Sequence, residues 1–148
     1  METQDRLALR SRLSDIALVS VWTEHLVSRY AIPPNVQFAM DLCLEEVLSN
    51  IIRHGYAGAE DSPIIVYFQM PRSGHFVIEV YDEAPYFNPL DIPELPLVNS
   101  GVDGEVRIGG QGIRLLRRFA DALKHEPTPT GNRLCMEFSA AGSEVQTK

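Results

Sequence analysis

Apolar and polar positions along this chain change period several times, and each change marks an element. Residues 6–10 alternate polar and apolar, the rhythm of a half-buried strand. Ser14 is then placed to cap an amphipathic helix running to about residue 29, with Ile16, Val19, Trp22 and Leu26 at helical spacing. The pair Pro33 and Pro34 can only start a helix. Phe38, Met40, Leu44, Val47, Leu48, Ile51 and Ile52 carry that second helix to about His54, where Gly55 supplies a stop. Residues 64–70 and 75–82 are rich in Val, Ile, Phe and Tyr and are joined by Pro71, Arg72, Ser73 and Gly74, which predicts an antiparallel hairpin. Residues 85–108 hold proline and glycine with little periodicity, a loop of the length that serves as a lid or stays disordered. A short helix is predicted over residues 112–120, then a last hairpin of residues 122–126 and 133–139 turned at Gly131 and Asn132. Residues 1–4 and the polar tail 141–148 are expected to fray.

This order, strand, two helices, two strands, lid, helix, two strands, lacks the alternation of a doubly wound sheet. It predicts an α+β, two-layer α/β sandwich with a mixed, mainly antiparallel sheet and helices on one face. A chain of 148 residues, 45% apolar, is the size of one domain and can bury a core without disulfides or a structural metal. Cys43 and Cys135 show no zinc or redox spacing and are expected to be buried free thiols. The apolar runs are too short and too interrupted by charge for a membrane span and residues 1–12 are polar, so the expectation is a cytoplasmic protein without a membrane partner. Thirteen Lys and Arg against twenty Asp and Glu give a net charge of −7, which disfavours a direct hold on nucleic acid and favours a basic protein partner.

Three groups could carry chemistry. Glu46 and Asn50 lie four apart on the second helix, so at about 100° per residue they point within roughly 40° of each other, one turn apart. The apolar arc of Met40, Leu44, Val47, Leu48 and Ile51 lies largely on the other side, and Arg53 and His54 extend the polar stripe. An amide oxygen is a hard ligand for magnesium and a carboxylate can orient or deprotonate a hydroxyl; a solvated helix face is the plainer alternative. Asp82 ends a strand, followed by Glu83, Ala84 and Pro85, where a carboxylate can reach a ligand beyond the sheet edge or merely form a turn. Gly109, Gly110, Gln111 and Gly112 lead into a helix whose first N–H groups attract anions, although the pattern is neither a P-loop nor a dinucleotide fingerprint.

In this order, with a lid between the second and third, the pieces resemble the ATP-binding sites of the GHKL superfamily, which includes gyrase, Hsp90, histidine kinases and MutL. Glu46-x-x-x-Asn50 looks like its N box, Asp82-Glu83-Ala84-Pro85 like its first glycine box and Gly110-Gln111-Gly112 like its second. Within it, EVLSNIIRHGY at 46–56, DEAPYFNP at 82–89 and GQGIRLLRRFAD at 110–121 are similar to strings of the small anti-sigma factor serine/threonine kinases of bacterial stress and sporulation control. The resemblance implies the Bergerat fold, with ATP and Mg2+ as cofactors. It implies Glu46 as general base, Asn50 as magnesium ligand and Asp82 as acceptor for the adenine amino group. Gly110 and Gly112 would admit the phosphates, with Ala84, Pro85 and Ile113 beside the nucleotide. His54 matches a motif position that is as readily a capping or packing residue, and Arg107 is placed to reach a γ-phosphate or to sit solvated in the lid. Two positions depart: Ala84 stands where the family has glycine, so its methyl is expected to crowd the base or alter the backbone angle, and Asn88 stands for Asp. The implied activity is phosphorylation of a STAS-type anti-sigma factor antagonist together with sequestration of a sigma factor or similar regulator, in a chain that can pair with itself. A non-catalytic, nucleotide-gated partner switch is the alternative, and a histidine-kinase catalytic domain a weaker third.

Overall fold

The computed structural model describes residues 4–91 and 108–140, the stretch 108–113 as backbone. Strand β1 (Gln4–Arg10) leads through a 3-10 turn (Leu13–Ile16) into α1 (Ala17–Tyr30) and α2 (Pro34–Asn50), which ends in a π-helical turn (Ile51–Gly55). Strands β2 (Pro63–Arg72) and β3 (His75–Asp82) form the expected hairpin; a 3-10 turn (Pro89–Asp91), α3 (Ile108–Phe119), β4 (Ala122–Pro127) and β5 (Asn132–Ser139) complete the order. The strands make one sheet in the order β1-β2-β3-β5-β4.

The α+β class holds, and all four pairings are antiparallel where a mixed sheet is expected. The reason is topological. Strands β3 and β4 do run parallel on either side of α3, but β5 lies between them, so the parallel pair never bonds.

Alternation along the strands sends Ile64, Val66 and Phe68, Phe76, Ile78 and Val80, and Leu134, Met136 and Phe138 into the core. Helix α2 covers them with Met40, Cys43, Leu44, Val47 and Leu48, each completely or almost completely buried. Burial of each such side chain contributes about 1.5–3 kcal/mol, which fixes α2 over the sheet and with it the direction of Glu46 and Asn50. Helices α1 and α3 pack against α2. On α1, Thr23 Oγ1 donates to Asp41 Oδ1 of α2 at 2.6 Å, and burial pushes the Asp41 carboxyl up.

Several local expectations are corrected. Ser14 caps nothing: it lies inside the 3-10 turn, where the neighbouring Asp15 Oδ2 accepts the Arg10 N–H at 2.8 Å. Gln4 is paired with Gln69 and belongs to β1 instead of a frayed end; residues 141–148 lie outside the described residues. Helix α3 starts at Ile108, four residues before the predicted Gly112, so the glycines form its first turns. The last hairpin turns over residues 128–131, closed by Thr128 N–H to Gly131 O at 2.9 Å, and Asn132 is already in β5. Cys43 is a buried free thiol as expected, but Cys135 is half-buried on the opposite sheet face, its thiol pushed up by burial. Beside it Arg133 bonds Glu79, Tyr81 and Glu126. Among the described residues no helix is long and apolar enough to cross a membrane.

Candidate functional site

The site is built where α2 ends. Asn50 is 4% exposed and Glu46 half-buried, with Asn50 Nδ2 donating to Glu46 Oε2 at 3.4 Å. Asn50 therefore does not sit on a solvated face, while Arg53 and His54, which extend the stripe, are exposed. Burial pushes the Glu46 carboxyl above its ordinary range, opposed by the Asn50 hydrogen bond and by Arg53. That direction suits proton abstraction, because a carboxylate whose pKa moves toward neutrality is a stronger base.

Beyond Asn50 the helix does not continue as the apolar rhythm predicts. Its backbone widens: Tyr56 N–H bonds Ile51 O at 2.8 Å, an i to i+5 link. The widened turn brings His54 and Gly55 against the loop after β3. His54 is exposed, and its ring lies 6.1 Å from that of Phe87 at the helix end. A methyl added at Gly55 would lie 3.4 Å from Ala84 Cβ and 3.4 Å from Phe87. The N-box helix and the Asp82 turn are therefore in direct contact, although they are far apart in sequence.

Asp82 is 5% exposed, and the hydrogen bonds it accepts fall on Oδ1: from Ala84 N at 2.9 Å and from Asn132 Nδ2 at 2.9 Å. Burial pushes its carboxyl up, moderated by those two bonds and by His125. The Asn132 amide also reaches Ala84 O at 3.3 Å and Pro85 O at 3.2 Å, while its Oδ1 accepts from Phe87 N at 3.2 Å and meets His125 Nε2 at 3.1 Å. One β5 side chain thus bonds the turn at Asp82, Ala84, Pro85 and Phe87. Sequence reasoning misses it: Asn132 reads as a turn former, and its partners come from segments far away in the chain.

The altered backbone angle expected at Ala84 is not found. Among the described residues those other than glycine with left-handed φ are Ala31, Ala57 and Asp61, so no glycine is required at Ala84 by backbone angle. Ala84 is 3% exposed, and its methyl packs where Gly55 has none. Asn88 Oδ1 accepts the Leu90 N–H at 2.9 Å and shapes the start of the lid, of which residues 85–91 are described. Pro85 is exposed. Gly110, Gly112 and Ile113 fall in α3, which packs on α2; Arg107 and residues 92–107 of the lid lie outside the described residues.

The donor set fits the expected cofactors. With Nδ2 turned to Glu46, Asn50 keeps Oδ1 as a hard oxygen, and Mg2+ on a nucleotide needs few protein ligands because phosphates and waters complete its shell. Asp82, bonded at Oδ1, offers Oδ2 to a ligand amino group.

The burial of Asp82 has a pH signature. A carboxyl raised above its unfolded value contributes stability that is present below about pH 4 and is lost as pH rises through the folded pKa. Asp82→Asn, whose Oδ1 can still accept both bonds, should therefore raise the melting temperature of the ligand-free protein at pH 7, and the gain should shrink as pH falls toward 4. Thermal melts across that range check it; a gap that ignores pH would refute the assignment.

The chain is similar to known proteins. The sequence profile of the histidine kinase-like ATPase domain matches residues 9–138. The chain is similar to the serine/threonine-protein kinase BtrW of Bordetella bronchiseptica, 27% identical over 120 residues that cover 81% of this chain and 82% of that one. Among solved structures it is similar to the histidine kinase domain of the blue-light activated histidine kinase EL346 of Erythrobacter litoralis, with a TM-score of 0.48 and 16% identity, covering 90% of this chain and 63% of that one.

Proposed function

The chain belongs to the histidine kinase-like ATPase domain family, and from that premise we propose that it is an ATP- and Mg2+-dependent serine/threonine protein kinase of the anti-sigma factor type. It phosphorylates a STAS-type antagonist and sequesters a sigma factor or equivalent regulator in the cytoplasm, as a monomer or as a pair. The observation that supports the reading is the contact of the α2 end with the Asp82 turn, through Gly55 with Ala84 and Phe87 and through the His54 and Phe87 rings. The similarity to a chain named a serine/threonine-protein kinase supports the substrate class.

In this reading Asn50 would supply an oxygen to Mg2+, and Asp82 would accept the base amino group. Glu46 takes the proton of the attacking hydroxyl. Phosphoryl transfer asks the protein mainly for positioning and charge neutralisation, so a half-buried base beside a fixed amide is a sufficient protein contribution. When bound, Mg2+ neutralises phosphate charge.

The test is incubation with labelled ATP, Mg2+ and a STAS-type antagonist protein, with calorimetry in parallel. Label on a Ser or Thr of the antagonist is expected. Nucleotide binding without transfer would make the chain the nucleotide-gated switch instead, and no binding would end both readings.

A further inference from the structure

Tyr56 joins three segments that are distant in sequence. Its ring is buried, and its hydroxyl donates to Pro63 O at the start of β2 at 2.7 Å while accepting the Glu83 N–H at 2.7 Å. Its own N–H closes the π-helical turn on Ile51 O. A phenol suits this place because its one O–H group can satisfy an acceptor and a donor together. The consequence is geometric. Glu83 comes directly after Asp82, so the Tyr56 hydroxyl grips the Asp82 turn from the helix side while Asn132 grips it from β5. Asn50 lies six residues before Tyr56, which follows the end of the continuous helical segment at Gly55 as its C-cap.

We propose that Tyr56 is a positioning residue for the nucleotide: through Glu83 N–H it fixes the separation between α2, with Glu46 and Asn50, and the Asp82 carboxylate. This rests on the reading of Asp82 as the group that accepts the adenine amino group. An extra residue wound into the turn rotates the chain beyond Asn50 and carries the phenol beneath the loop. The π turn is thereby part of the site's geometry, as such turns often are at functional positions.

The experiment is titration of Tyr56→Phe with ATP and with GTP, in Mg2+, beside the parent, Asp82→Asn and the double variant. The phenylalanine keeps the ring and removes both hydrogen bonds, so ATP affinity should fall about tenfold while GTP affinity stays within about twofold, and base discrimination falls accordingly. If Tyr56 acts through Asp82, the two changes are non-additive: adding Tyr56→Phe to Asp82→Asn should cost less than about twofold more. A lower melting temperature with unchanged ATP/GTP discrimination, or losses that multiply in the double variant, would overturn the proposal and make Tyr56 a fold residue alone. Hydrogen exchange at the Glu83 amide of the parent protein needs no variant. Strong protection without nucleotide is expected, and fast exchange there would also overturn it. A parent that binds no ATP removes the kinase reading and this proposal together; a parent that binds ATP with an indifferent Tyr56→Phe removes this proposal alone.

Discussion

Glu46→Gln is expected to lower phosphoryl transfer to the protein substrate by on the order of 10²- to 10⁴-fold while ATP binding persists. The substitution separates the two tasks of the site. Gln keeps an oxygen that can accept from Asn50 Nδ2, as Glu46 Oε2 does at 3.4 Å, so the amide of Asn50 stays oriented for the metal. What is lost is the basic oxygen, whose proton affinity is already increased by burial in the parent. Single-turnover transfer with labelled ATP, paired with calorimetric ATP titration, reads both quantities. Transfer at the parent rate would strip Glu46 of its role as base. Joint loss of binding and transfer would instead make it a structural partner of Asn50.

Much of this geometry is legible in the sequence. The apolar rhythm of Met40, Leu44, Val47 and Leu48 puts α2 on the core and turns Glu46 and Asn50 aside, and the Val- and Ile-rich runs predict β2, β3 and their turn. Periodicity fails where tertiary bonds decide the backbone. Ile51 and Ile52 continue the helical pattern and are buried either way, so nothing in the string announces a π turn; the hydroxyl of Tyr56, held by Pro63 and Glu83, stabilises it from outside. The glycines before Ile113 argue for a loop because of their poor helix propensity, yet packing of α3 on α2 overrides a preference of about 1 kcal/mol per glycine. Ala84 looks like a defect when seen alone. Its complement, the missing methyl of Gly55, lies far upstream and only the fold places them together. Asn132 shows the same limit, since its partners from Asp82 to Phe87 and at His125 belong to two other segments.

Gly131→Ala should be the most damaging methyl added at any of the described glycines outside α3. An added Cβ would stand 1.9 Å from Asp82 O, 2.6 Å from Glu83 Cα and 2.7 Å from Asp82 C, all backbone atoms that no rotamer change can move. Either the start of β5 or the Asp82 turn must shift, and both are tied: Asn132 sits opposite Asp82 in the β3–β5 ladder and holds the turn with its side chain. Overpacking of this kind costs about 3 kcal/mol, so the urea midpoint should fall clearly. Displacing the turn also moves the Asp82 carboxylate, so ATP binding should weaken by more than about tenfold even in the fraction that remains folded. Gly58→Ala separates the two consequences. Gly58 has φ +84° with nothing within 4 Å of an added methyl, so its cost is backbone strain, about 1 kcal/mol, with no clash against the Asp82 turn. If both alanines lowered stability equally and left ATP affinity alike, the close approach of β5 to the Asp82 turn could not be what holds the site.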